Sequence, residues 1–498
     1  MEQPTLQQIQ NFKGTYPKAL WGLFFSEMWE RFCFYAMRGM LTYFMVYHLF
    51  MDKETAQLQY GATQAFVYAF TFIGGLFADK ILGFQRSLFW GGLLMIIGSI
   101  LLAVNPHELF FWGIGFNIVG TGFFKPNISS MVGQLYKNDD ARRDAGFLLF
   151  YSGINIGAFL GGFVIAIGKG TLFQDWVPEP LRWNVAFGIA AIVMIISLIN
   201  FSFTRKKLGP IGRFPLEATP KNKLKTYAVY IGALAAIPLI RIMVSNTQYT
   251  DWFMAVIGPF SLLYLFFEMR KNTALENKKL TAALLFILFS VVFWAIFEQA
   301  GGSLSLFAAE HLHPNLFGLT VDPNAVNNSL NALFVILFAP VAGIFFIQLA
   351  KRKLDPNSVV KFGIGFLLLG LAFYTFYSIR FSANAEGVGS LNLFALGYLI
   401  VTFAELFLSP IGLSLMTKLA PYRLQGFMMG MWFLASAYGQ YVAGLFGASI
   451  SPSSENTPLE KITLYTEGYH QFAVYAIVCG VVLILIAPLI KKLMPDVK

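Results

Sequence analysis

Apolar residues recur along this chain in long continuous runs, without the alternating or one-sided patterns of water-facing elements. About fourteen runs reach spanning length, near 19–47, 56–77, 87–104, 108–135, 144–168, 184–203, 226–244, 252–270, 280–302, 325–350, 359–380, 391–418, 424–448 and 471–490. Each predicts a helix, because a backbone surrounded by lipid must satisfy its own hydrogen bonds. A membrane β-barrel would alternate apolar and polar residues over about ten positions, and no such pattern is present. The pattern therefore predicts an all-α membrane protein with about 14 transmembrane helices.

Composition supports lipid as the solvent. Of 498 residues, 56% are hydrophobic and only 12% charged, about half the charged share of soluble domains. A soluble enzyme, a disordered chain and a nucleic-acid binder are excluded on this ground. The net charge of +10 is read as basic loops at a membrane. The polar stretch 1–17 has no apolar core and does not read as a cleaved signal peptide. Cys33 and Cys479 both fall in apolar runs and imply no disulfide framework.

Charge also sets the orientation. Of the 36 Lys and Arg, 27 fall on the side of the two termini and five on the other; Arg31, Arg38, Lys125 and Arg241 lie inside helices. Such a bias predicts cytoplasmic termini. The longest basic loop, 204–225, follows six helices, and two helices and a basic turn precede the last six. The expected plan is an N-terminal six-helix bundle at 1–203, a linker with two inserted helices at 204–279, and a C-terminal six-helix bundle at 280–498. That plan suggests the major facilitator architecture, with its site near the membrane midplane. The segments 171–182 and 451–470 are expected as the sizeable outer loops.

Ionisable groups inside a membrane need a partner or a task. The first helix carries Glu27, Glu30, Arg31 and Arg38. At about 100° per residue, positions 27, 31, 34 and 38 form a narrow stripe, with Glu30 to one side. That face should line a cavity or a bundle interface; a static salt-bridge knot is the competing reading. Lys125 lies deep in a run whose glycines and Pro126 permit close packing and a kink. Glu405 is mid-span, with Ser409 one turn on, whereas Glu298 could be a solvated acid near a loop. The acids Glu27, Glu30, Glu298 and Glu405 exceed the bases Arg31, Arg38 and Lys125 by one. A carboxylate in excess in a low-dielectric site is a candidate proton carrier. Tyr35, Tyr43, Tyr68, Trp294 and Trp432 could wall a cavity or simply pack. No nucleotide-binding Gly-x-x-x-x-Gly-Lys-Ser/Thr loop is present, and His311 and His313 lack companion metal ligands in sequence.

Several motifs are similar to those of the proton-dependent oligopeptide transporter family. They are Glu27-x-x-Glu30-Arg31 with Tyr35 and Arg38, Gly75-x-x-x-Asp79, Lys125-Pro126-Asn127, Phe150-Tyr151 with Asn155 and Gly157, Phe293-Trp294-x-x-Phe297-Glu298-Gln299, Asn331, and Glu405-x-x-x-Ser409-Pro410. The resemblance spans nearly the whole chain in order. It implies a major facilitator fold that moves di- and tripeptides with protons by alternating access, in a bacterial inner membrane. It implies no cofactor beyond the proton gradient, no nucleic acid and no obligate protein partner. By position, Glu27, Glu30, Arg31 and Glu298 would take part in proton coupling. Arg38 with Glu298 would form an outer gate, and Lys125 with Glu405 an inner one. Substrate would be held by Tyr35, Arg38, Tyr68, Lys125, Asn155, Trp294, Asn331, Glu405, Ser409 and Trp432. Phe34 stands where many members have tyrosine, and Gln348 lies near an acid expected in the second half. The same mechanism with nitrate or another organic anion, and a non-transporting receptor or scaffold on this fold, are the alternative functions.

Overall fold

The structure, a computed structural model, describes residues 4–137, 140, 142–214, 219–408 and 412–495. Among the described residues, fourteen long helices follow one another: α1 Lys18–Tyr47, α2 Lys53–Phe77, α3 Phe84–Val104, α4 Phe110–Gln134, α5 Arg143–Gly161, α6 Arg182–Leu208, α7 Pro220–Ser245, α8 Thr247–Met269, α9 Ala274–Phe297, α10 Pro323–Lys351, α11 Ser358–Ser378, α12 Leu391–Leu408, α13 Gln425–Ser449 and α14 Pro458–Leu493. Each coincides with one of the apolar runs. Eleven helical stretches among the described residues are long and apolar enough to cross a membrane. The long helices outside that group are α1, α4 and α13. Their length suffices, and α1 and α4 carry the deep charges Glu27, Glu30, Arg31, Arg38 and Lys125.

Two boundaries depart from the hydropathy pattern. Past α9 the chain makes a 3-10 turn, Glu298–Gly301, and resumes as a helix, Ser303–His311. Paired glycines and serines make that stretch look like a loop in sequence, but Gln299 Oε1 accepts a bond from Ser303 Oγ at 2.7 Å and ties turn to helix. The expected outer loop 451–470 is mostly the start of α14. Pro458 occupies its first position, and Thr457 and Glu460 close a capping box. The polar residues of this first third hide the helix from a hydropathy reading.

The chain forms two compact units: unit 1 is Met1–Leu41 with Phe66–Asn246, and unit 2 is Thr42–Ala65 with Thr247–Lys498. In unit 1, α1 is seated against α5 and α6. Gly153, Gly157 and Gly161 recur every fourth residue on α5, and a Cβ at Gly157 would stand 2.1 Å from the Met28 carbonyl oxygen. Asn200 of α6 donates to the Gly22 carbonyl at 2.7 Å, and Ser197 to that of Ser26 at 2.7 Å. The α2–α4 approach is equally close: a Cβ at Gly74 would lie 2.2 Å from the Gly122 oxygen. In membranes such small residues let helix backbones meet.

Gly157→Ala should therefore push α5 off α1 and lower stability by about 1–3 kcal/mol, the usual range for overpacking. Gly232→Ala, on α7 with nothing within 4 Å of the added carbon, should leave stability unchanged or slightly raised. Thermal unfolding of the two purified variants in one detergent checks the contrast.

In unit 2 the tip of the α1–α2 hairpin packs on α9 and α13. Thr42 Oγ1 donates to the Gly301 carbonyl at 2.6 Å, and a Cβ at Gly61 would meet the Gly444 Cα at 2.7 Å. Tyr47 and Lys53 both bond to Glu310, Lys53 at 2.6 Å. An aromatic core around Phe307, Phe373, Phe376, Phe394, Tyr398 and Tyr469 joins α11, α12 and α14 to the helix after α9.

Candidate functional site

The strongest cluster in unit 1 lies on α1. Glu27, Glu30 and Arg31 are 2%, 0% and 2% exposed. The Arg31 guanidinium forks onto both oxygens of Glu30, and its Nε also lies 3.4 Å from Glu27 Oε1. The Phe34 ring covers the guanidinium at 4.8 Å. The second oxygen of Glu27 is buried and has no hydrogen-bond partner among the described residues. The two acids are thus unequal: Glu30 holds a bidentate cation, and Glu27 shares what is left. Spacing placed them together; which of them owns Arg31 was not readable from it.

Two turns beyond Arg31, Arg38 lies over the Tyr35 ring, 5.7 Å from its centre, and both are half-buried. On α4, Lys125 sits over the Tyr68 ring at 4.7 Å. The glycine contact between α2 and α4 makes this possible, since the space above Gly122 is filled by the Phe70 backbone at 2.6 Å. Asn155 on α5 is buried and donates to the Tyr151 carbonyl of its own helix at 3.0 Å. Tyr35, Arg38, Tyr68, Lys125 and Asn155 therefore all belong to unit 1, with the Glu27–Glu30–Arg31 cluster.

Unit 2 carries Glu298, Trp294, Asn331, Glu405 and Trp432. Asn331 Nδ2 reaches Glu405 Oε2 at 3.1 Å and Thr402 Oγ1 at 3.2 Å. Below them Tyr398 donates to Asn327 Oδ1 at 2.6 Å, and Asn327 Nδ2 donates to the Ala300 carbonyl at 2.8 Å. This polar ladder joins α10, α12 and the turn after α9. Thr402, Tyr398 and Asn327 were missed in the sequence. Their signal was spacing: Asn327 and Asn331, and Tyr398, Thr402 and Glu405, repeat at helical intervals in otherwise apolar runs.

Glu298 is 4% exposed, because the helical path continues beyond it to His311. It is therefore one of the buried acids, as counted from the sequence, and the alternative of a solvated acid near a loop falls away. Trp294 is half-buried, edge-on to Phe293 and Phe297, with its indole nitrogen buried and without a partner among the described residues. Trp432 is 8% exposed within the apolar core of unit 2. Ser409 lies outside the described residues. Asp79 is exposed on a π-helical turn, Ala78–Leu82. Cys33 and Cys479 are free thiols, Cys33 buried against the Ala190 carbonyl.

Residues 85–463 match the model of the POT family. The chain belongs to the POT family. Across 97% of its length it is 36% identical to an uncharacterized transporter of Bacillus subtilis, covering 96% of that protein. It is 33% identical to the peptide transporter YePEPT of Yersinia enterocolitica over 96% of this chain and 95% of that one. A di-/tripeptide transporter of Lactococcus lactis is 32% identical, over 99% of this chain and all of the relative. Among solved structures, a peptide transporter POT variant in complex with alafosfalin superposes with a TM-score of 0.83 at 34% identity, covering 99% of each chain. A POT family transporter in complex with 5-aminolevulinic acid gives 0.81 at 31%, covering 98% of this chain and all of that one. The fold is accordingly of the major facilitator type, as the helix count and order anticipated. As a POT protein it is a multi-pass membrane protein and not an enzyme.

Proposed function

We propose that this POT protein is a symporter that carries di- and tripeptides together with protons by alternating access. The observation that carries the reading is the distribution of half-buried charge within the spanning helices. Unit 1 offers the cations Arg38 and Lys125, and unit 2 offers the carboxylate Glu405 with the Asn331 amide beside it. A free peptide is a zwitterion with variable side chains, so a general peptide carrier must grip its two ends. The relatives named as peptide transporters, and the family member that holds 5-aminolevulinic acid, another molecule with an amine and a carboxylate, support this choice of cargo.

In this reading the peptide carboxylate meets Arg38 and Lys125, and its ammonium meets Glu405 and Asn331. Tyr35, Tyr68 and Asn155 contribute polar contacts, Ser409 a hydroxyl, and Trp294 and Trp432 the walls of side-chain pockets. The proton is taken up at the Glu27–Glu30–Arg31 cluster, on Glu27, whose second oxygen has no hydrogen-bond partner among the described residues, while Arg31 holds Glu30. Glu298 completes the coupling set through its exchange with Arg38. The gradient is the sole energy source, with no cofactor and no obligate protein partner. The two six-helix bundles, 1–203 and 280–498, act as the moving halves, with 204–279 as linker and inserted pair. The termini face the cytoplasm of a bacterial inner membrane, in keeping with the basic loops.

Uptake of a dipeptide panel into liposomes, with and without an inward proton gradient, tests the reading. Gradient-dependent accumulation of free dipeptides supports it. Preference for nitrate or another organic anion, or the absence of any transport, would replace it. The outer gate is testable separately. Cysteines placed at positions 38 and 298 should cross-link when the cavity is closed to the outside and poorly when it is open. Equal cross-linking in every state would make the pair a static brace.

A further inference from the structure

A cationic cavity of about 770 Å³ opens in unit 1 where the start of α3, the end of α6 and the segment after α6 meet. Arg86, Arg205, Lys206 and Arg213 line it, with Gln85 and Phe214, and among the described residues no Asp or Glu lines it.

The cavity is held in shape by its own framework. Gly83 (φ 76°) links the α2 end to α3, and a Cβ there would lie 2.5 Å from the Arg213 carbonyl oxygen. Only glycine lets the segment 209–214 lie on that turn, and Gly209 (φ 52°) and Gly212 (φ 69°) let the segment fold back. Gln85 then clamps it. Its backbone N–H donates to the Gly212 carbonyl at 2.8 Å and its Nε2 to the Ile211 carbonyl at 2.6 Å. The Oε1 of the same side chain accepts from Arg205 Nε at 3.2 Å. The Arg86 guanidinium lies over the Phe214 ring at 4.5 Å. Two of the four cations are thus oriented by specific contacts, and the clamped turn carries a third, Arg213, to the same place.

Several cations elsewhere in the chain pair with acids. Asp140 pairs with Arg142, whose hydrogen bonds hold its carboxyl down at about 2. Glu268 lies between Lys271 and Arg423, and Asp355 meets Lys361. Among the described residues no carboxylate forms an ion pair with Arg86, Arg205, Lys206 or Arg213. The four cations are exposed, so water and salt already moderate their repulsion; an anion that bridges them relieves what remains, and guanidinium groups match the oxygens of phosphate bidentately.

We propose that this cavity is a binding site for a phosphate-bearing anion. Its position, at the first turn of one spanning helix and the last turn of another, puts it at headgroup depth, where an anionic phospholipid supplies that phosphate. A soluble phosphate has the same chemistry. The leaflet involved, the cytoplasmic one, rests on the orientation proposed above; binding itself does not.

The test uses purified full-length protein in detergent, with phosphatidylglycerol, phosphatidylcholine and inorganic phosphate as probes. Native mass spectrometry should show phosphatidylglycerol retained in preference to phosphatidylcholine. Each cation removed should weaken that retention roughly fivefold, as for basic residues near an anionic membrane surface. The double variant Arg86→Gln/Arg213→Gln should lose the preference, and the milder Lys206→Gln should lose part of it. A cooperative thermal unfolding transition in both variants reports that they remain folded. In the second arm, inorganic phosphate is compared with chloride at equal ionic strength by thermal unfolding. Stabilisation by phosphate that the double variant loses, without any lipid preference, identifies a soluble phosphate as the occupant and leaves the site standing. The proposal is overturned if neither probe binds preferentially, or if folded double variant binds both as the unmodified protein does. Neither result bears on peptide symport, which the uptake assay decides separately.

Discussion

Glu27→Gln is expected to abolish proton-driven peptide accumulation and to leave peptide exchange between the two sides intact. The reason lies in the unequal neutralisation of the two α1 acids. Arg31 forks onto Glu30 and touches Glu27 with one nitrogen, and a buried Glu27 oxygen has no hydrogen-bond partner among the described residues. A glutamine keeps the shape of that side chain and cannot gain or lose a proton. The internal peptide level should then rise only to the external one, an accumulation ratio of about one, whatever the pH difference. Glu30→Gln should have the same outcome by another route. With Glu30 neutral, Arg31 is left with Glu27 as its partner, and a fully paired carboxylate no longer exchanges its proton. Arg31 loss should be worse than either, because it leaves two buried acids without a cation. Uptake driven by an artificial pH gradient, set beside exchange of labelled for unlabelled peptide, separates coupling from translocation. Undiminished uphill uptake by Glu27→Gln would move the proton site elsewhere.

Acetylating the amine of a dipeptide should weaken its competition for uptake by about ten- to a hundredfold. Losing one charge-assisted hydrogen bond costs about 1.5–3 kcal/mol, and Glu405 with Asn331 is the acceptor proposed for that amine. Glu405→Ala should remove most transport and with it most discrimination between free and acetylated peptide. Thr402→Val is the subtler probe. Thr402 Oγ1 accepts from Asn331 at 3.2 Å, so its loss should let the amide rotate and reduce affinity less than Glu405→Ala does. Competition assays on the unmodified protein decide the main point. Equal competition by free and acetylated dipeptides would reject the two-ended grip and favour an organic-anion cargo.

Much of the site was legible because lipid penalises charge. A carboxylate or guanidinium in an apolar run stands out, and Glu27, Glu30, Arg31, Arg38, Lys125 and Glu405 were all found that way. Thr402, Tyr398 and Asn327 were not, since hydroxyls and amides cost little enough in a helix to look like ordinary composition. Glu298 was visible too and was counted with the buried acids, although its place near the end of its run left a solvated reading open. The Gly301-Gly302 pair looked like the end of a helix, and only the structure shows the chain continuing as a 3-10 turn and a further helix to His311.

The sequence by itself determines the number of spanning helices, their order, the sidedness expected from the basic loops and the list of ionisable groups that require a reason. These follow from local rules: a backbone in lipid has helix as its solution, and each buried charge carries its penalty wherever it sits in the chain. Tertiary structure decides what depends on several segments at once. It seats α1 on the glycine stripe of α5, and places the hairpin tip Thr42–Ala65 with unit 2. It also folds 209–214 over Gly83 so that Arg213 joins Arg86 and Arg205 around one cavity. Those outcomes turn on close backbone approach and shared hydrogen bonds between residues far apart in sequence, which no periodicity along a single run records.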